Sequence, residues 1–250
     1  MTKQTGLGDN CYVGGYDVSG DTQSLQRIGG GPAALDLTAI DKSAYERLGG
    51  LRDGGIDWTS YFDKAAAASH IAYRALPTVD TQVMYLRGTT LGNPAAALVG
   101  KQVNYDGNRQ TDGSLLFTLQ ALANGYGLEW GVNMTAGKRT DGAAANGTGV
   151  DFGGSTAFGL QAYLQVFAFT GTSVTVKIQE SSDNAVGDPY ADVVGASFTA
   201  VAAAPAFQRV QTARALTVER WLRVVTTGVF SNAVFAVVVV KNATAVTFES

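Results

Sequence analysis

Leu160-Gln161-Ala162-Tyr163-Leu164-Gln165-Val166-Phe167-Ala168-Phe169 sets Leu160, Ala162, Leu164, Val166 and Ala168 against Gln161, Tyr163, Gln165, Phe167 and Phe169. That two-residue period is the mark of a β-strand, because successive Cβ atoms point to opposite faces of the pleat. Val174, Val176 and Ile178 keep the rhythm against Thr175, Lys177 and Gln179, and Gly171-Thr172 between the two runs predicts a tight hairpin. Further runs at 196–201, 208–212, 221–226 and 230–240 have the spacing of an antiparallel sandwich. In the last run Val234, Ala236, Val238 and Val240 face one way and Ala233, Phe235, Val237 and Val239 the other. Such a strand needs cover on both faces, and the expected outer cover is a second subunit. Residues 156–250 are therefore expected to form an antiparallel jelly-roll-like or immunoglobulin-sized β-sandwich.

The first half has the same period. Leu35 and Leu37 alternate with Asp36 and Thr38, and Ile56, Trp58 and Ser60 alternate with Asp57, Thr59 and Tyr61. Strands are also expected at 81–87, 96–105 and 114–121. One helix interrupts them: Asp63 can cap it, 64–68 is Lys-Ala-Ala-Ala-Ala, and Ala68, Ile71, Ala72, Ala75 and Leu76 form a single stripe before Pro77. A weaker helix candidate, equally readable as an exposed loop, follows Asp41 at 42–47. Residues 136–155, rich in Gly, Ala and Asn, are expected to be a linker or long loop between a 1–135 domain and a 156–250 domain.

Composition narrows the chemistry. Of 250 residues, 16% are charged, against about a quarter in ordinary domains, and Lys+Arg 18 against Asp+Glu 21 gives net charge −3. No basic nucleic-acid surface or anionic-membrane surface is implied. One Cys and one His rule out a thiolate cluster or a His/Cys zinc centre. His70 reads as a partly exposed helix residue, and no Gly-x-Ser-x-Gly elbow is present. Asp17-Val18-Ser19-Gly20-Asp21 reads as a turn, since Leu25 and Gln26 stand where calcium ligands would be needed. Gly29-Gly30-Gly31-Pro32 lacks the spacing of a phosphate loop and reads as a flexible turn. No catalytic, cofactor-binding or metal residues are assigned, and no enzyme is expected. The start, Met1-Thr2-Lys3-Gln4-Thr5-Gly6, has no apolar leader and no run approaches a membrane span, so a soluble cytoplasmic product is expected.

Tyr16-Asp17-Val18-Ser19-Gly20-Asp21-Thr22-Gln23-Ser24-Leu25, then 34–44 (Ala-Leu-Asp-Leu-Thr-Ala-Ile-Asp-Lys-Ser-Ala), then 48–58 (Leu-Gly-Gly-Leu-Arg-Asp-Gly-Gly-Ile-Asp-Trp) resemble, in this order, the N-terminal part of long-tailed phage tail tube proteins. The resemblance covers about residues 10–130 and leaves 150–250 as an appended sandwich. It implies a tail-tube-like β-sandwich or barrel with one flanking helix, which closes into hexameric rings stacked around a lumen. Genomic DNA passes through such a lumen without specific binding. The implied partners are copies of the chain itself and other tail proteins, with no membrane and no cofactor. The implied location is the virion tail after synthesis in the host cytoplasm. It also implies that residues 29–50, with Gly29, Gly30, Gly31, Asp41, Lys42, Tyr45 and Arg47, are a long loop reaching the next ring. Capsid decoration, a head–tail connector and a carbohydrate-binding adhesin are the rival readings, the last from Tyr163, Phe167 and Phe169 as a sugar-stacking surface.

Overall fold

The computed structural model describes residues 5–76 and 79–245. Met1 to Gln4 of the expected leaderless start, and the expected helix stop Pro77, lie outside the described residues. In chain order the elements are β1 (Asn10–Val13), β2 (Tyr16–Asp17), β3 (Thr22–Asp36), β4 (Arg47–Tyr61), α1 (Ser69–Tyr73), β5 (Thr81–Leu86), β6 (Pro94–Arg109) and β7 (Leu115–Ala123). They continue as β8 (Glu129–Asn133), β9 (Arg139–Asp141), β10 (Val150–Asp151), β11 (Leu160–Ser181), β12 (Ala191–Ser197), β13 (Ala206–Gln211) and β14 (Trp221–Lys241). The fold is mainly β with one short helix, as the two-residue period predicts.

Two compact units share the chain: unit 1 is Met1–Gly20, Met84–Ala97 and Trp130–Ser250, and unit 2 is Asp21–Val83 and Leu98–Glu129. The expected break at 136–155 does not coincide with this division. That stretch carries β9 and β10, both paired with β14. Arg139 forks onto both carboxylate oxygens of Asp141 at 2.8 Å and donates to Val224 O at 2.9 Å, and the Thr226 hydroxyl donates to Asp141 at 2.7 Å. These charge-assisted bonds fasten a glycine-rich segment that composition alone reads as slack.

Unit 1 is organised by β11 and β14, which pair antiparallel from Leu160↔Lys241 to Ser181↔Trp221. No hairpin forms at Gly171-Thr172: β11 runs straight through, and the register shifts there instead. Gly171 has φ +151°, and a Cβ on it would lie 2.4 Å from Phe230 Cα, so only glycine fits this bulge. A further register shift, between Val166 and Ala168, changes the inward residues of β14 from Leu222 and Val224 at one end to Phe235, Val237 and Val239 at the other. They join Leu160, Leu164, Val176 and Ile178 in one apolar core. β13 pairs with the first half of β11 and β12 with the last.

The opposite face of this strand pair is covered by the chain's own N-terminal hairpin rather than by a second subunit. Gln165, fully buried, donates to Tyr12 O at 3.1 Å and accepts from Gly15 N at 2.9 Å. The Tyr12 ring meets Phe167 edge-on at 4.9 Å. Gly15, with φ +88°, sits so close to Pro205 that a Cβ would lie 2.7 Å from its Cβ. Asp17 accepts from Ser19 N and Oγ at 3.1 and 2.6 Å, the turn the sequence predicts.

At the start of the described chain Asp9 accepts from the Tyr85 hydroxyl at 2.6 Å and is ion-paired with Arg87. Burial, then the adjoining Asp9 carboxylate, pushes the Tyr85 phenol up to about 12. A folded value above the unfolded one, about 10, means stabilisation that is complete below pH 10 and fades as pH rises toward 12. Tyr12, Tyr105 and Tyr190 are raised as well, so titration at 295 nm is expected to show several late-ionising tyrosines, of which one has a midpoint that falls in Asp9→Asn. An unchanged midpoint would rule out the Asp9 contribution.

Unit 2 is an antiparallel sheet in the order β3-β4-β7-β6. Ile56 and Trp58 of β4 share its inner face with Leu119 and Ala121 of β7, all fully buried. Against them lies α1, a single turn rather than the longer helix expected from Asp63. Ala67 takes φ +64°, and Ser69 accepts from Asp63 N at 3.2 Å while donating to Tyr61 O at 2.9 Å, so the alanines preceding it form turns. The buried residues of α1 are Ser69 and Tyr73, whereas Ala75 and Leu76 of the expected stripe are exposed.

Candidate assembly surface

β3 and β4 stay paired from Thr22↔Ser60 out to Asp36↔Arg47, about 15 residues each. Their near ends lie in the sheet, but from Gly30 outward on β3 and from Asp53 back to Arg47 on β4 almost every residue is exposed. The result is a two-stranded arm. Its glycines have a particular use: Gly29, Gly30 and Gly31 pair with Gly55, Gly54 and Asp53. A Cβ on Gly54 would lie 2.5 Å from Leu128 N, and one on Gly30 would lie 2.5 Å from Asp53 O. Bare backbone lets the segment at Leu128 cross the root of the arm. A cleft of about 500 Å³ opens there, lined by Arg27, Gly29 to Ala33 and Asp53.

The connection at the tip, 37–46, holds its shape through local bonds. The Thr38 hydroxyl and amide donate to Asp36 at 2.5 and 3.0 Å, which keeps that carboxyl below its usual range, hydroxyl first. Leu37 N donates to Glu46 O at 2.9 Å, and Glu46 N donates back to Thr38 Oγ1 at 2.9 Å. Lys42 pairs with Glu46 at 3.4 Å, and the Arg47 guanidinium lies 4.7 Å over the Tyr45 ring. Tyr45, Lys42 and Thr38 line a shallow recess of about 240 Å³.

What this ordered arm presents is apolar. Leu51 is 90% exposed, Tyr45 71% and Leu37 60%; Ile40 is fully exposed, and Leu35 and Leu48, register partners on one face, are about half exposed. Exposed apolar clusters of this kind are where protein contacts commonly form.

The seven expected loop residues thus come together on one arm, in a different form. Gly29, Gly30 and Gly31 lie inside β3 instead of in a turn, Arg47 opens β4, and Asp41, Lys42 and Tyr45 lie in the tip, with no helix at 42–47. Leu35 and Leu37, which the alternation sets on one face of a strand, are exposed. The apolar contact residues Ile40, Leu48 and Leu51 were missed, and no local signal marks them, because what separates them from core leucines is the lack of a covering element.

The middle of the sheet's other face is polar, between Leu116 and Tyr61 at one end and Leu122 at the other. Register sets Thr59 beside Thr118 and Asp106, and Asp57 beside Gln120 and Asn104. His70 is half-buried, with Nδ1 3.0 Å from the Tyr105 hydroxyl. Among the described residues no group of three or more His, Cys, Asp or Glu is placed to hold a metal ion. The expected sugar-stacking aromatics form no platform: Tyr163 is fully buried with its hydroxyl accepting from Arg209 at 3.0 Å, and Phe167 and Phe169 are half-buried.

No family model and no curated protein matches this chain. Among solved structures it is similar to a chain in the virion of a native gene transfer agent particle, at 15% identity and TM-score 0.41, over 51% of this chain and 98% of that one. It is likewise similar to a chain in the tail of an empty gene transfer agent particle with C6 symmetry, at 17% identity and TM-score 0.41, over 50% and 97%. A third similarity is to the SPP1 Dit (gp 19.1) protein, described as a paradigm of the hub adsorption apparatus in phages infecting Gram-positive bacteria. It has 9% identity and TM-score 0.32 over 92% of this chain and 98% of that one.

Proposed function

We propose that this chain is a structural virion protein, the tail tube subunit of a siphovirus-like particle. It self-assembles into stacked hexameric rings around a DNA-conducting lumen and joins other tail proteins. The observation that carries the reading is the β3–β4 arm: an ordered hairpin that projects an apolar surface no part of its own unit covers. The ordered motifs at 16–58 support it independently. A lumen must not hold phosphate, and on the face with Asp57 and Asp106 the cations Arg27 and Lys101 are matched in number by acids, so the face offers phosphate no net positive charge. Residues 156–250, which the resemblance leaves as an appended sandwich, are assigned to the outside of the tube.

Purified protein viewed by negative-stain microscopy is expected to form rings or tubes. Ile40→Asp combined with Leu51→Asp is expected to lower assembly at least tenfold with an unchanged circular dichroism melt, because both side chains touch only solvent in the single chain. A wild-type protein that stays monomeric under all conditions, including seeding with phage lysate, would overturn the reading.

A further inference from the structure

Asparagine is followed by glycine at two places in the chain, Asn124-Gly125 and Asn146-Gly147. Such a pair can react with itself, because glycine has no Cβ to shield its amide nitrogen, and attack of that nitrogen on the asparagine Cγ closes a five-membered ring. Both asparagines are exposed, yet the structure separates the two pairs. Gly147 N donates to Val224 O at 2.7 Å, and a Cβ on this residue would lie 2.5 Å from Arg139 Nη1. Its nitrogen is engaged and its backbone is packed in place. Gly125 stands in the turn after β7 with φ +76° and nothing within 4 Å of where a Cβ would lie. Its N–H donates to no group among the described residues.

The Asn124 side chain also has particular company. Its backbone N donates to Val99 O at 3.0 Å, and its Nδ2 donates to Asp80 Oδ1 at 2.8 Å. The same carboxylate oxygen takes the Lys101 ammonium at 2.9 Å. These two partners, Asn124 first, hold the Asp80 carboxyl below its usual range, so it is ionised at neutral pH. One oxygen therefore sets the amide nitrogen of Asn124 beside a proton donor, which is what departure of that nitrogen as ammonia calls for.

We propose that Asn124 is a self-modification site whose co-reactant is water. The Gly125 nitrogen, giving its proton to solvent, bonds to Asn124 Cγ. The Cγ–Nδ2 bond breaks, and the departing nitrogen takes a proton from Lys101 and leaves as ammonia. Water then opens the succinimide at either carbonyl, giving aspartate or, with the main chain rerouted through Cβ, isoaspartate. Lys101 regains its proton from solvent, so the sum is amide plus water to acid plus ammonia. The product sets a second carboxylate against Asp80, where an amide donor stood, and adds one negative charge to a chain whose net charge is −3. Its place gives it a consequence. The chain runs from Asn124 directly to Leu128, whose N lies 2.5 Å from where a Cβ on Gly54 would be. The extra main-chain atom of isoaspartate lengthens the segment that crosses the root of the β3–β4 arm, so the arm loses part of its seating as the protein ages. None of this depends on what the arm contacts.

The test uses the full chain, incubated folded and in urea at mildly alkaline pH and followed by peptide mass mapping with isoaspartyl methyltransferase labelling. In the folded chain aspartate and isoaspartate are expected at position 124 at least tenfold faster than at position 146, whereas in urea the two positions should react at similar rates. Lys101→Met is expected to slow position 124 severalfold in the folded chain and to leave its rate in urea unchanged. Amide hydrogen exchange at residues 54 and 128 should quicken once position 124 is modified. Equal rates at 124 and 146 in the folded chain would overturn the proposal, as would a stable ammonia-loss product in which Lys101 itself is joined to Asn124. A folded Lys101→Met chain that reacts at the wild-type rate would remove Lys101 as the proton donor, and unchanged exchange at 54 and 128 would remove the link to the arm.

Discussion

Trp58→Ala is expected to destabilise unit 2 by about 4 kcal/mol, the range for removing a fully buried indole. Trp58 is fully buried, its ring meets Tyr73 edge-on at 5.7 Å, and its Nε1 donates to the Tyr73 hydroxyl at 3.2 Å. The substitution takes away apolar area, leaves a cavity between β4 and α1, and removes a donor from a buried hydroxyl. Urea unfolding followed by near-ultraviolet circular dichroism measures the loss. A change below about 1 kcal/mol would mean the site collapses around the vacancy and that α1 is not held by this ring.

Gly171→Ala is expected to cost unit 1 a similar amount, about 4 kcal/mol, through a different mechanism. The added methyl would meet Phe230 Cα at 2.4 Å and Phe230 Cβ at 2.6 Å, on a backbone with φ +151° that side chains avoid. Overpacking and backbone strain add because neither can relax without shifting the paired strand. Gly113→Ala is the matched control: it also has positive φ, +93°, but nothing lies within 4 Å of its Cβ. Its loss should be confined to the backbone term, about 1 kcal/mol. Equal losses in the two variants would remove the packing argument.

Most strands were legible in the sequence because alternation reports a face directly, as in Ile56 and Trp58 or Leu160, Leu164 and Val166. Continuity was not legible. Gly171-Thr172 has the composition of a hairpin turn, and only the 21-residue partner β14, far along the chain, shows that the strand continues. The helix was overestimated for a related reason. Four alanines favour helix locally, but Ser69 and Asp63 bond each other and Tyr61, and those contacts outweigh a few tenths of a kcal/mol per residue.

Cover was the other thing the sequence concealed, and it misled in both directions. Val238 and Ala236 looked as though they needed a second subunit, yet residues 10–17 of the same chain lie over that face. Leu35 and Leu37 share one face of an alternating strand, yet nothing in unit 2 covers them. Period reveals that a face is apolar; what lies against it is a property of distant residues. The proposed assembly surface, Gly29 to Arg47, is marked in the sequence only by the resemblance to tail tube proteins, and its apolar character is visible only in the structure.

The bonds from Gln165 to Tyr12 and Gly15 join residues 153 and 150 positions apart. During synthesis, at about 5–20 residues per second, the hairpin at 10–17 waits many seconds for its cover partner, and the core of unit 1 waits longer still for β14. Unit 2 lies wholly within residues 21–129. The arm's two strands pair with each other within residues 22–61, so the arm can form while most of the chain is still emerging. Keeping the tip rigid through Thr38, Asp36 and Glu46 limits what such an early arm can bind, since a preformed tip admits a matching surface and turns away loose, unfolded chain.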